Sequence, residues 1–144
     1  MSATRMTRDQ AVARLLDGIQ GDIAACGAVR ELLERQFQAA LRRHGAELAE
    51  LAGQLMPQLD AMEERRKQRV QLVRALLGPQ ATMGDLFATL DAARRDAASR
   101  AWTQLEALVR DCKEATLRNG SLMAEQHGVM QRVLYGEEAT YAPR

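Results

Sequence analysis

At 144 residues, with 27% charged residues, a formal net charge of +1 and only 3% aromatics, the chain is sized for one domain and has little from which to build a sheet. Acidic and basic residues interleave along most of its length, so there is no large single-sign field for nucleic acid or anionic lipid. Two cysteines, a charged N-terminal stretch and no window approaching about 18 apolar residues argue against a disulfide scaffold, a signal peptide and a membrane span, and the expectation is a soluble cytoplasmic protein.

Val12, Leu15, Ile19, Ile23, Cys26, Val29, Leu33, Phe37 and Leu41 advance by threes and fours, which predicts a helix over about 7–43 with Thr7 as its N-cap. Gly18, Gly21 and Gly27 weaken that helix, so packing along the stripe must hold it. Arg42, Arg43, His44 and Gly45 read as its terminus, with Gly45 as the turn residue. Leu48, Leu51, Leu55, Leu59, Met62, Val70, Val73 and Leu77 predict a second helix over about 46–77, antiparallel to the first and kinked near Gly53 to Pro57.

Gly78 and Pro79 stop the second helix, and Thr82 with Asp85 forms a capping-box-like start for a third over about 83–134. Its stripe passes through Leu86, Phe87, Leu90, Trp102, Leu105, Cys112 and Ala115 to Met123, Met130, Val133 and Leu134. The fold expected is all-α: an elongated antiparallel three-helix bundle with a long C-terminal helix and a mobile tail over 136–144. Asn119-Gly120 interrupts the best amphipathic segment. Read locally it is a helix stop and a new start; read with the stripe it lies inside one continuous helix.

Catalytic chemistry is not legible. His44 and His127 belong to no ligand pair, and there is no Cys-x-x-Cys, phosphate loop or nucleophile elbow, so no enzyme, metal or cofactor is expected. The basic run Arg65, Arg66, Lys67, Arg69, Arg74 follows Glu63 and Glu64 at spacings that allow pairing with Lys67 along the helix, and reads as a solvated face. Trp102, Leu105, Cys112 and Cys26 read as core.

The series Trp102, Leu105, Cys112-Lys113, Asn119-Gly120, Leu122 and then Thr140-Tyr141-x-Pro143 resembles the FlgN family of flagellar type III export chaperones. The likeness extends more loosely to 31–35, 42–45, 63–66 and 85–90, and Thr116 stands where members commonly carry Asn. The resemblance implies a non-catalytic chaperone that binds the C-terminal helical segments of hook-filament junction (hook-associated) proteins. It would prevent their premature assembly and deliver them to the export gate and its ATPase.

By position, it puts the client surface at Leu117, Asn119, Gly120, Leu122, Met123, Val129, Met130, Val133 and Leu134, and the gate contact at Tyr141. It also favours a helix continuous through Asn119-Gly120. The free protein is expected as a monomer or weak dimer, with no nucleic-acid partner and no stable membrane insertion. Two other readings stay open: a scaffold bundle that self-associates through the same stripe, and a small nucleic-acid-binding helical protein resting on Arg65 to Arg74.

Overall fold

A computed structural model describes the backbone of residues 6–141 and the side chains of 6–135. Four helices follow one another: α1 (Arg8–Leu41), α2 (Gly45–Leu77), α3 (Met83–Ala88) and α4 (Ala92–Tyr141). Thr7 caps α1 in a capping box with Gln10, as its sequence position predicts. Thr82 and Asp85 do the same for α3 through bonds of 2.9 and 3.2 Å.

Three local readings need correcting. The left-handed residue between α1 and α2 is Arg43, at φ 55°, and Gly45 instead opens α2. The His44 amide donates to the Ala39 carbonyl at 2.9 Å across this turn, a bond that fixes the reversal without glycine. α2 runs from Gly45 to Leu77 with Pro57 inside it, so the helix does not break in the region where the kink is expected. Pro57 is exposed, so water can solvate the carbonyl its ring leaves unpaired.

The expected third helix is two helices. Thr89 closes α3, and Asp91 starts α4 by accepting from the Arg94 amide at 3.0 Å. Asp followed by Ala-Ala-Arg is an N-cap signal that the continuous apolar stripe obscured. At the other end, α4 extends to Tyr141 where a tail from Gly136 was expected. A single Gly followed by Glu-Glu-Ala is too weak a break to end a helix of this length. Residues 142–144 and the side chains of 136–141, Tyr141 included, lie outside the described residues, and so does the mobility expected of the tail.

The bundle is organised around α1. It packs on both α2 and α4, whereas α2 and α4 make no backbone-distance contact with each other. α2 returns antiparallel to α1 through the short turn, so α4 runs parallel to α1. The polar contacts between them confirm the direction: Cys112 to Cys26, Asn119 to Leu33 and Gln126 to Ala40 are each separated by 86 residues.

These positions recur every seven residues on both helices, which makes α1 and α4 a parallel heptad pair. Val12, Ile19, Cys26, Leu33 and Ala40 face Ala98, Leu105, Cys112, Asn119 and Gln126. Near the base of the bundle Leu86, Phe87 and Leu90 close the core against Val12, Leu15 and Ile19, and Phe87 meets Trp102 edge-on at 6.4 Å between ring centroids. A second apolar cluster around Leu33, Ala39, Leu51, Leu55 and Ala115 fills the upper bundle.

Burial acts on the facing thiols. Cys26 is fully buried, and this burial, with smaller contributions from Cys112 and Asp22, pushes its pKa from 9.0 up to about 11. Below about pH 9 the thiol is neutral folded and unfolded, so it contributes fully to stability. Between about 9 and 11 only the unfolded chain releases the proton, and stability falls. The expected loss over that interval is about 1–2 kcal/mol relative to Cys26→Ala, measured by urea unfolding at a series of pH values; parallel curves for the two proteins would contradict it.

Candidate client-binding helix

The heptad seam of α4 outlasts its partner. Gln126 donates to the Ala40 carbonyl at 2.8 Å, and α1 ends one residue later at Leu41. The next two seam positions, Val129 and Val133, therefore have no facing helix, and they are 40% and 54% exposed. Met130 and Leu134 flank them and are also more than half exposed. From 127 to 141 the helix projects about 22 Å beyond the α1–α2 turn at 1.5 Å per residue. The apolar face is thus a continuation of the core pattern onto a stretch that no other helix covers among the described residues.

A polar lock sits one heptad below the last seam contact, inside the bundle. Asn119 is 1% exposed, and its amide donates to the Leu33 carbonyl and to Gln36 Oε1, both at 2.8 Å. Its own oxygen accepts from Nε and Nη2 of Arg118 at 3.2 Å. The Arg118 guanidinium lies 3.8 Å from the centroid of the Phe37 ring and reaches Glu34 Oε2 at 3.1 Å. Arg118 first, then Gln38 and Arg30, hold the Glu34 carboxyl below its usual range.

A polar side chain at a seam position fixes the axial register of two helices, because any slip leaves its donors and acceptor buried without partners. Asn119→Ala is expected to cost about 1–3 kcal/mol in urea unfolding. A change within about 0.3 kcal/mol would show that the lock does not set the register.

The nine residues expected at the client surface fall into three groups. Leu122, Met123, Val129, Met130, Val133 and Leu134 form one continuous face, half-buried at Leu122 and Met123 and exposed from Val129 onward. Leu117 is exposed but lies about 160° around the helix from Val133 at 100° per residue, so it does not share that face. Asn119 is consumed by contacts with α1.

Gly120 is exposed, and a Cβ there would meet nothing within 4 Å, so no close approach requires glycine. α4 is continuous through Asn119-Gly120, as the stripe implied. Trp102, Leu105 and Cys112 lie lower on α4 and belong to the bundle core.

Sequence reasoning missed a second polar cluster. Asp22, 2% exposed, accepts from Arg65 Nε and from Arg69 Nη2, the latter at 2.9 Å, and the Arg69 guanidinium stands 5.4 Å from the Trp102 ring centroid. The signal was present, since Asp22 is in heptad phase with Leu15 and Val29. Arg66 pairs with Glu63 through two bonds of 2.8 and 2.9 Å, where Lys67 was expected to pair. Three of the five basic residues are thereby paired, Arg65 and Arg69 sharing the one carboxylate of Asp22, and Lys67 and Arg74 have no salt bridge among the described residues.

Among the described residues, no three His, Cys, Asp or Glu side chains gather as a metal site would require, and no helix is long and apolar enough to cross a membrane. The longer member of a parallel heptad pair carries its apolar seam into solvent, a geometry open to a further helix. A family model described as FlgN protein matches residues 6–135, and the chain belongs to this family of flagellar export chaperones. No curated protein and no solved structure matches the chain.

Proposed function

We propose that the projecting part of α4 holds the C-terminal helical segments of hook-filament junction proteins in the cytoplasm, keeps them from assembling early, and delivers them to the export gate and its ATPase. The observation that carries this reading is the seam that runs on through Val129 and Val133 after α1 has ended. A client helix laid there continues the line of α1, taking the vacant place in the parallel pair and meeting anchors at i, i+1, i+4 and i+5.

Met123 and Met130 suit such a role, because flexible thioethers adapt to more than one apolar partner and favour modest affinity with reversible release. The gate contact is assigned to Tyr141, beyond the client face along the chain. The account has two separable parts, and a truncation distinguishes them. Chain ending at Gly136 should still capture a purified hook-associated protein through that protein's C-terminal segment, while secretion of the client falls. Loss of capture would overturn the division of labour, and failure of the full-length chain to capture any hook-associated protein would overturn the function.

A further inference from the structure

α1 packs on α2 and on α4, yet α2 and α4 make no backbone-distance contact, as helices at three corners of a four-helix bundle would stand. The corner opposite α1 is a groove. One cavity of about 210 Å³ lies between Leu59 and Met62 of α2 and Leu105 and Val109 of α4. A second of about 230 Å³ continues it toward α3, over Val70, Val73 and Trp102. Leu59 and Val109 are 44% and 46% exposed on the two walls, where a completed bundle would bury both.

Charge divides the groove along its length. The upper cavity holds two carboxylates, Asp22 and Glu63, and each is already bonded to arginine. The lower cavity is lined by Arg66, Arg69 and Arg74 and by no carboxylate. Asp22 divides its charge between Arg65 and Arg69, and Arg74 has no salt bridge among the described residues. The groove is therefore apolar in its middle and has a cationic excess at the end nearer α3.

We propose that the groove docks an amphipathic helix of another protein, distinct from the client, with acidic residues at the end that meets Arg66 and Arg74. From Leu59 to Arg74 α2 spans about 22 Å, so the fitting segment is a helix of about 15 residues, four turns long. Its apolar stripe fills the empty corner between Leu59 and Val109, the helix-in-groove mode. Its carboxylates meet guanidiniums, whose planar fork suits them, and this end selects among helices that the apolar trough alone would accept alike.

The docking does not depend on the client reading. The overhang begins about 27 Å beyond Val109 along α4, so both faces can be filled at once.

The probe is a synthetic helix of about 15 residues with leucines at i, i+3, i+4 and i+7 and two glutamates in its first turn, compared with the same peptide carrying lysines there. Trp102, the single tryptophan of the chain, lines the lower cavity, so its emission reports occupancy beside peptide anisotropy. The full chain should bind the glutamate peptide saturably, with a shift in Trp102 emission, and the lysine peptide at least about tenfold more weakly. Added salt should narrow that difference. Leu59→Glu and Val109→Glu, on opposite walls, should each weaken binding at least about tenfold with helical content retained, and Val133→Glu on the overhang should not. Arg74→Glu should shift the preference toward the lysine peptide, which a difference in peptide helicity alone could not do.

Failure to bind the glutamate peptide, or equal affinity for both peptides, overturns the inference. So does binding lost in Val133→Glu but kept in both groove variants, which would put the peptide on the overhang. A dimer of the free chain that Leu59→Glu dissociates would give the groove to a second copy, and displacement of the peptide by a saturating hook-associated protein would give it to the client; either overturns the proposal as stated. Capture of a hook-associated protein separates this proposal from the client reading: Leu59→Glu should leave capture unchanged, and a chain that binds the peptide but captures no client loses only the client reading.

Discussion

Replacing Asp22 with Ala is expected to lower the unfolding free energy by about 3–5 kcal/mol, among the largest losses any single substitution in this chain can cause. The reason lies in what remains behind. The Asp22 side chain is 3% exposed and that of Arg69 is 10% exposed, and the carboxylate is the anion that compensates Arg69. Without it a guanidinium stays in the bundle with only the Trp102 face nearby, and its lost hydration is repaid by nothing of comparable strength.

The cluster also ties three helices together at one level. Asp22 comes from α1, Arg65 and Arg69 from α2, and Trp102 from α4, so its loss loosens α2 and α4, which have no backbone contact to hold them. Removing both partners, as in Asp22→Leu with Arg69→Leu, should recover much of the loss, since no unpaired charge is then buried. Urea unfolding followed by helical circular dichroism measures both. A loss below about 1 kcal/mol for Asp22→Ala would show that water reaches Arg69 and the pair is a surface one.

The second large effect concerns binding with stability held constant. Val129→Glu with Val133→Glu places two charges on the seam where it has no partner in the free protein. Burying them against a client helix would leave them desolvated and unpaired, so affinity for a hook-associated protein should fall at least about hundredfold, as expected when central apolar anchors are replaced by charge. Both sites are solvated in the free chain, and the unfolding free energy should change by less than about 0.5 kcal/mol. Isothermal titration against a purified client, paired with urea unfolding, reads the two quantities separately. Unchanged affinity would place the client elsewhere.

The stripes from Val12 to Leu41 and from Leu48 to Leu77 made α1 and α2 legible, because helical periodicity survives in any pairing of helices. Thr7, Gly78 and the Thr82–Asp85 box were legible for a different reason: caps are local chemistry. The break at Asp91 was obscured by an apolar stripe that continues across it, since periodicity does not register a short interruption.

The pairing of α1 with α4, parallel and at an offset of 86 residues, was not evident from the stripes taken singly. It emerges only when the sevenfold series of the two helices are laid against each other, with Asn119 opposite Leu33 setting their register. The same limit hid the division within the candidate site. Leu117, Asn119 and Val133 are all on α4, yet one faces away, one is locked against α1, and one is in solvent. Only the point where α1 stops separates core from offered surface, and that point belongs to the partner helix.

Amide hydrogen exchange with and without a hook-associated protein tests the central claim most directly. Helix with nothing packed on it opens readily, so residues 127–135 should exchange fast in the free chain. Binding should slow exchange across 122–135 and leave the middle of α2 unchanged. Protection that appears instead around Leu59 and Val109, with 127–135 still exchanging as in the free chain, would contradict the assignment of the overhang as the client site.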